Sequence, residues 1–134
     1  MKDEYMPVFE LGLLPPTLEK CMLQVRNYVG THYMAVLIKV EMEDMPGVFE
    51  PGFALSVNLP ETAKLPEDVF YAKCWAELEG VPEALERAGI IKLVEDIKCA
   101  SSGFIPVIKP YRLTQEYIEG KITTPALVEI KEAA

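Results

Sequence analysis

The sequence has one histidine and three cysteines in 134 residues. Structural zinc sites draw their ligands from close pairs such as C-x2-C. Cys21, Cys74, Cys99 and His32 form no such pair, so the spacing argues against a Cys3His centre and no metal is expected. Phosphate cradles are missing too: there is neither a G-x-G-x-x-G run nor a G-x-x-x-x-G-K-[ST] loop, and no cofactor is expected. Long apolar runs are absent. Met34–Ile38 and Phe104–Ile108 fall far short of the roughly 20 residues that a bilayer span needs. Met1-Lys2-Asp3-Glu4 opens no signal-peptide h-region, so the chain is expected to be cytoplasmic, without membrane contact and with its thiols reduced.

Positive charge is scarce. Against 21 acids stand 13 bases, for a net charge of −8. Nucleic-acid affinity comes mainly from Lys and Arg neutralising phosphates, so direct nucleic-acid binding is not expected. The excess is also localised. From Glu41 to Arg87 there are 11 acids and three bases, while the remainder of the chain holds ten of each. A concentrated negative surface attracts cationic surfaces and speeds encounter with them.

What is present is half apolar, punctuated by 11 Pro and 8 Gly. A chain of this length buries about two thirds of its unfolded surface and needs no staple. One domain is expected over 1–120, followed by a C-terminal tail, 121–134, of doubtful order. Alternation at period two is the main periodic signal. Glu19–Val29 places Cys21, Leu23, Val25 and Val29 on one face. Gly30-Thr31 turns the chain, and Tyr33–Met42 returns with Met34, Val36, Ile38, Val40 and Met42 inward. Asp44–Gly47 and Glu50-Pro51-Gly52 read as successive turns, with a strand from Phe53 to Leu59. Val69–Trp75 predicts another strand and Val81–Gly89 a short helix, with Pro82 near its first position and Gly89 at its C′ position. Ile90–Cys99 satisfies strand and helix patterns almost equally and is read as strand. Phe104–Leu113 is extended, at an edge or broken by Pro106 and Pro110. Thr114 caps a last helical turn. The fold class is therefore α+β: a mainly antiparallel twisted sheet of about five or six strands with one or two short helices.

Candidate chemistry is thin. Cys21 and Cys99, among apolar neighbours, read as core thiols. His32 reads as a turn residue, with no orienting carboxylate that the sequence can place beside it. Cys74 is the thiol most open to a nucleophilic role, although Glu77 and Glu79 disfavour its thiolate. No catalytic residue is assigned. Packing explains most of the aromatics, and Tyr33 or Tyr71 would serve as an interface anchor if it faced outward.

Ala54–Pro60, Leu65-Pro66-Glu67, Val69–Trp75, Ala88-Gly89-Ile90 and Ser102-Gly103-Phe104 leading through Pro110-Tyr111 to Leu113 resemble, in order and texture, a family of small bacterial proteins. That family is described only as a domain of unknown function and is carried on plasmids, phages and conjugative elements of gut bacteria. Here Tyr71-Ala72-Lys73 precedes Cys74-Trp75-Ala76-Glu77, where the family runs acidic and Asn-rich. The resemblance implies a mobile-element accessory protein and supplies no functional residue. Together with the charge it leads to a non-catalytic interaction module binding a basic surface of another protein. Glu41, Glu43, Asp44, Glu67, Asp68, Glu77 and Glu79 are its expected contacts. A concrete version is an inhibitor of a host defence protein that acts on nucleic acid, with carboxylates standing where phosphates are expected. The alternative is a small enzyme or ligand-binding domain with a pocket near Trp75, His32 and Cys74. A homo-oligomer joined through a strand edge is a third reading.

Overall fold

Where apolar and polar residues alternate, the chain becomes strand. A computed structural model describes residues 4–5, 9–13, 17–119 and 126–129, with side chains described over 21–119. Two short strands, β1 (Glu4–Tyr5) and β2 (Phe9–Leu13), precede the hairpin of β3 (Thr17–Asn27) and β4 (Met34–Met42). Then come β5 (Met45–Ala54), β6 (Ser56–Val57), a 3-10 turn at Pro60–Lys64, β7 (Phe70–Ala72) and a second 3-10 turn at Ala76–Leu78. The helix α1 (Val81–Arg87) leads to β8 (Ile91–Leu93), β9 (Ala100–Ser102), β10 (Ile105–Ile108), β11 (Pro110–Leu113), α2 (Gln115–Ile118) and β12 (Ala126–Glu129).

Among the described residues these strands form three sheets. The largest has the order β12-β2-β3-β4-β5, with β1 also on β3; the second is β6-β7-β11-β8; the third is the β9–β10 hairpin. Among the described residues the strand pairs are antiparallel except β12 with β2, which is parallel. The α+β expectation stands in outline, but the strands are more numerous than five or six. The difference has physical causes. Asp44–Gly47 and Glu50-Pro51-Gly52 looked like turns, yet Met45–Ala54 is one strand on β4, with register shifts between Ile38 and Lys39 and between Glu41 and Met42. It lies at the sheet edge, where Pro46 and Pro51 forfeit no ladder bond on the solvent side. Pro110 is likewise tolerated in β11, between β7 and β8, because it opens that strand. Ile90–Cys99 yields only the three residues of β8. Within the expected tail, Ala126–Glu129 forms β12; 121–125 and 130–134 lie outside the described residues.

The chain passes from the large sheet to the small one at Leu55. Leu55 N–H donates to Val36 O at 2.9 Å in the large sheet, and Leu55 O accepts from Lys73 N–H at 2.7 Å on the small one. Ser56 is buried at this corner; its hydroxyl accepts from Val36 N–H at 2.9 Å and shares a 2.8 Å hydrogen bond with the Tyr28 hydroxyl. Burial pushes the Tyr28 phenol above its ordinary range.

Alternation then assigns the faces. Cys21, Leu23 and Val25 of β3 meet Val40, Ile38 and Val36 of β4 on the inner face. Opposite them lie Phe70 and Ala72 of β7, Tyr111 and Leu113 of β11, and Val81, Ala84 and Leu85 of α1, all in one core. The other face of the small sheet presents Tyr71, which packs with Leu65, Val69, Val94, Ala100 and Ile108 in a second core. Each such aliphatic side chain removed from water contributes about 1.5–3 kcal/mol. Helix α1 begins after left-handed Gly80 with Pro82 in its first turn, and left-handed Gly89 (φ +80°) follows its Ala88 cap, as the sequence pattern predicts. No described helix is long and apolar enough to cross a membrane.

Candidate functional site

The β4–β5 hairpin carries the first group of expected contacts. Met42 pairs with Met45, which leaves Glu43 and Asp44 as the exposed turn residues. The left-handed residue of this loop is Gly47, at φ +84°, and not either acid. Glu41 is used internally: its Oε2 accepts from Gly47 N–H at 3.1 Å and so helps close the turn. Glu43 and Asp44 have no partner among the described residues, and Met45 and Val48 beside them are 48% and 41% exposed. No Lys or Arg occurs from Val40 through Ala63.

The other candidates sit elsewhere. Glu67 and Asp68 precede β7, where Asp68 Oδ2 lies 3.6 Å from Arg112 Nε. Glu77 and Glu79 follow β7, and Lys73 Nζ donates to Glu77 Oε1 at 2.7 Å. This hydrogen bond, with a backbone donor behind it, holds the Glu77 carboxyl below its ordinary range. Hence the seven carboxylates occupy three places, with Asp68 and Glu77 matched to the protein's own cations. From Val36, where β4 meets the crossing segment, to Met42 the strand extends about 20 Å at roughly 3.3 Å per residue. That exceeds the Debye length of about 8 Å in physiological salt, so the tip is screened from charges at the crossing segment.

The pocket reading needs correction in its members. His32 is exposed beside the β3–β4 turn, with its ring 4.8 Å from that of Tyr33. Trp75 packs on the second core, and Lys73 Nζ lies 5.8 Å from its ring centroid. Neither lines the cavity beside Cys74. That cavity, about 70 Å³, is walled by Ala72, Cys74, Pro82, Glu83, Val107, Lys109 and Tyr111. A shallower groove of about 410 Å³ runs over Glu86, Lys92, Leu93, Val94, Glu95, Asp96 and Arg112. No group of three or more metal-ligating side chains occurs among the described residues. Family models, curated proteins and solved structures give no match to this chain.

Other placements differ from expectation. Cys99, read as a core thiol, is exposed, and Cys21 alone of the three free thiols is buried. Val29, expected inward, stands fully exposed in the turn because β3 ends at Asn27. Tyr71 is buried at 3% and cannot serve as an outward anchor, whereas Phe104, assigned to packing, is fully exposed at the tip of the β9–β10 hairpin. Its position after left-handed Gly103 was the available signal, since a turn tip removes a side chain from either sheet face.

Proposed function

We propose that this chain is a non-catalytic interaction module that offers carboxylates to a basic surface of a partner protein, with the β4–β5 tip as the leading contact. The observation that carries the reading is the tip itself: Glu43 and Asp44 exposed and unpaired among the described residues, on a strand pair with no base from Val40 onward. Exposed Met45 and Val48 add apolar area beside the charge, the combination that lets an ion pair be partly desolvated and thereby strengthened. Glu67 and Glu79 act as secondary contacts, while Asp68 and Glu77 contribute less because each already faces a cation. A protein that holds nucleic acid has the basic surface required. Inhibition of such a protein by a mobile-element product is the specific form of the proposal.

The test uses two double variants that remove equal charge, Glu43→Gln with Asp44→Asn, and Glu95→Gln with Asp96→Asn. Affinity purification from the source cells, repeated at low and high salt, should recover a basic partner with wild-type chain and with the second variant. Recovery should fall at least tenfold with the first. Equal recovery with both variants, or binding insensitive to salt, would remove the hairpin from the interface.

A further inference from the structure

The cavity beside Cys74 is assembled from three segments by simple alternation. Ala72 and Cys74 point to one side of the chain leaving β7, and Val107, Lys109 and Tyr111 point to the same side of the chain running from β10 into β11. The two segments are held in register: Ala72 N–H donates to Lys109 O at 3.2 Å, and the Cys74 thiol lies 3.6 Å from Val107 O as its donor. Pro82 and Glu83 of the first turn of α1 close the space from above. Glu83 Oε2 is removed from solvent and has no hydrogen-bond partner. A buried carboxylate oxygen without a donor is costly, and native structures seldom keep one without a purpose or a bound species.

Two other polar groups at the cavity, Tyr111 and Cys74, are held in their neutral forms, while Lys109 brings a cation to the same wall. Burial, reinforced by Glu86 and Glu83, pushes the Tyr111 phenol far above its ordinary range. Burial and the charge of Glu83 push the Cys74 thiol up, with Lys109 opposing in part. Glu83 is the one carboxylate on the cavity wall, and among the described residues no ion pair joins it to Lys109. Ala72, Pro82, Val107 and the Tyr111 ring supply apolar wall. Volume sets the size of the occupant. An apolar cavity of about 150 Å³ takes benzene, so about 70 Å³ accommodates some three heavy atoms.

We infer that this cavity binds a primary ammonium on a short alkyl stem, the nitrogen donating to Glu83 Oε2 and the stem lying against Pro82, Val107 and Tyr111. Two sources offer that chemistry: a free short-chain amine, or the end of a lysine side chain presented by another protein. The site stands apart from the hairpin tip and does not depend on it.

The experiment is a two-dimensional amide NMR titration of the full chain at constant ionic strength with ethylammonium chloride, N-acetyl-lysine methylamide and tetramethylammonium chloride. Tiny ligands are limited in affinity, so dissociation constants of about a millimolar or weaker are expected. Ethylammonium should give saturable shifts centred on Cys74, Glu83, Lys109 and Tyr111; tetramethylammonium, which has no N–H, should give none. Saturation by the lysine derivative as well assigns the site to a protein-borne amine, and saturation by ethylammonium alone assigns it to a free one. Glu83→Gln should weaken binding at least tenfold while keeping a dispersed spectrum. If that variant fails to fold, Tyr111→Phe, which leaves the ring wall and Glu83 in place, should retain binding within about threefold. Absence of saturable shifts at 100 mM amine, equal response to tetramethylammonium, or undiminished binding in folded Glu83→Gln would mean that the cavity holds water and the inference is wrong.

Discussion

Gly52 offers a sharp test of how β5 is seated on β4. A Cβ built at this position would lie 2.6 Å from Val40 Cγ2 and 3.2 Å from Ile38 O. Ordinary carbon contacts are about 3.5–4.0 Å, so Gly52→Ala demands a shift of roughly 1 Å from a β-branched side chain with one favoured rotamer and from a strand carbonyl. Overpacking of this kind costs about 1–3 kcal/mol. The smaller freedom of alanine in the unfolded chain returns about 0.4–1 kcal/mol. The net expectation is a loss of about 1–2 kcal/mol. With a urea slope of roughly 1–3 kcal/mol/M, the unfolding midpoint should fall by about 0.3–2 M. The assay is equilibrium urea unfolding followed by fluorescence of Trp75, the single tryptophan. Val40→Ala removes the obstructing methyl, so the double variant should be more stable than the sum of the two single losses by about 1 kcal/mol. An unchanged or raised midpoint in Gly52→Ala, or strict additivity in the double variant, would refute the close approach and with it the bulged seating of the hairpin strand.

Thr114 caps α2 by accepting from Tyr117 N–H at 3.1 Å, and its hydroxyl donates to Gly89 O, tying that turn to the end of α1. Thr114→Ala should cost about 1–2 kcal/mol in thermal or urea unfolding; a loss under 0.3 kcal/mol would contradict it. Burial raises the phenols of Tyr111 and Tyr117 in the folded state. An acid whose folded pKa is raised adds stability that is complete below its unfolded value, about 10 for tyrosine, and is lost as pH climbs past it toward the folded value. Urea midpoints should therefore drop above pH 10, and less steeply in Tyr111→Phe; identical slopes in the two proteins would argue against this. Among the thiols, exposed Cys99 should react first with a disulfide reagent at pH 8, Cys74 more slowly because burial keeps it protonated, and Cys21 only on unfolding. Peptide mapping of the labelled protein reads the order, and early labelling of Cys21 would overturn it.

Much of the fold could be read from local pattern, and the failures share a cause. The β3–β4 hairpin followed from Cys21, Leu23, Val25 and Val36, Ile38 alternating toward one core, and α1 from Pro82, Leu85 and Gly89 at the right offsets. Residues 45–54 were misread because Pro and Gly punctuate a chain only where a ladder bond is needed, and the outer side of an edge strand needs none. The pairing of β12 with β2 joins residues more than a hundred positions apart and leaves no local signature. For the site, the carboxylate excess was evident in composition, but its division among three places was set by the crossing at Leu55, which sends the hairpin tip one way and β7 another. The Cys74 cavity depends on Glu83 arriving from a helix and Tyr111 from a distant strand, a convergence that only tertiary packing creates.

The parallel pairing of β12 with β2 has a bearing on synthesis. The strand Phe9–Leu13 finds β3 on one side almost at once, but its other flank waits until Ala126–Glu129 has left the ribosome. Between those two events that flank presents unsatisfied backbone groups to neighbouring nascent chains. Covering of the β2 flank is thus late relative to its pairing with β3, and a product cut short before Ala126 exposes β2 as the sheet margin in place of β12.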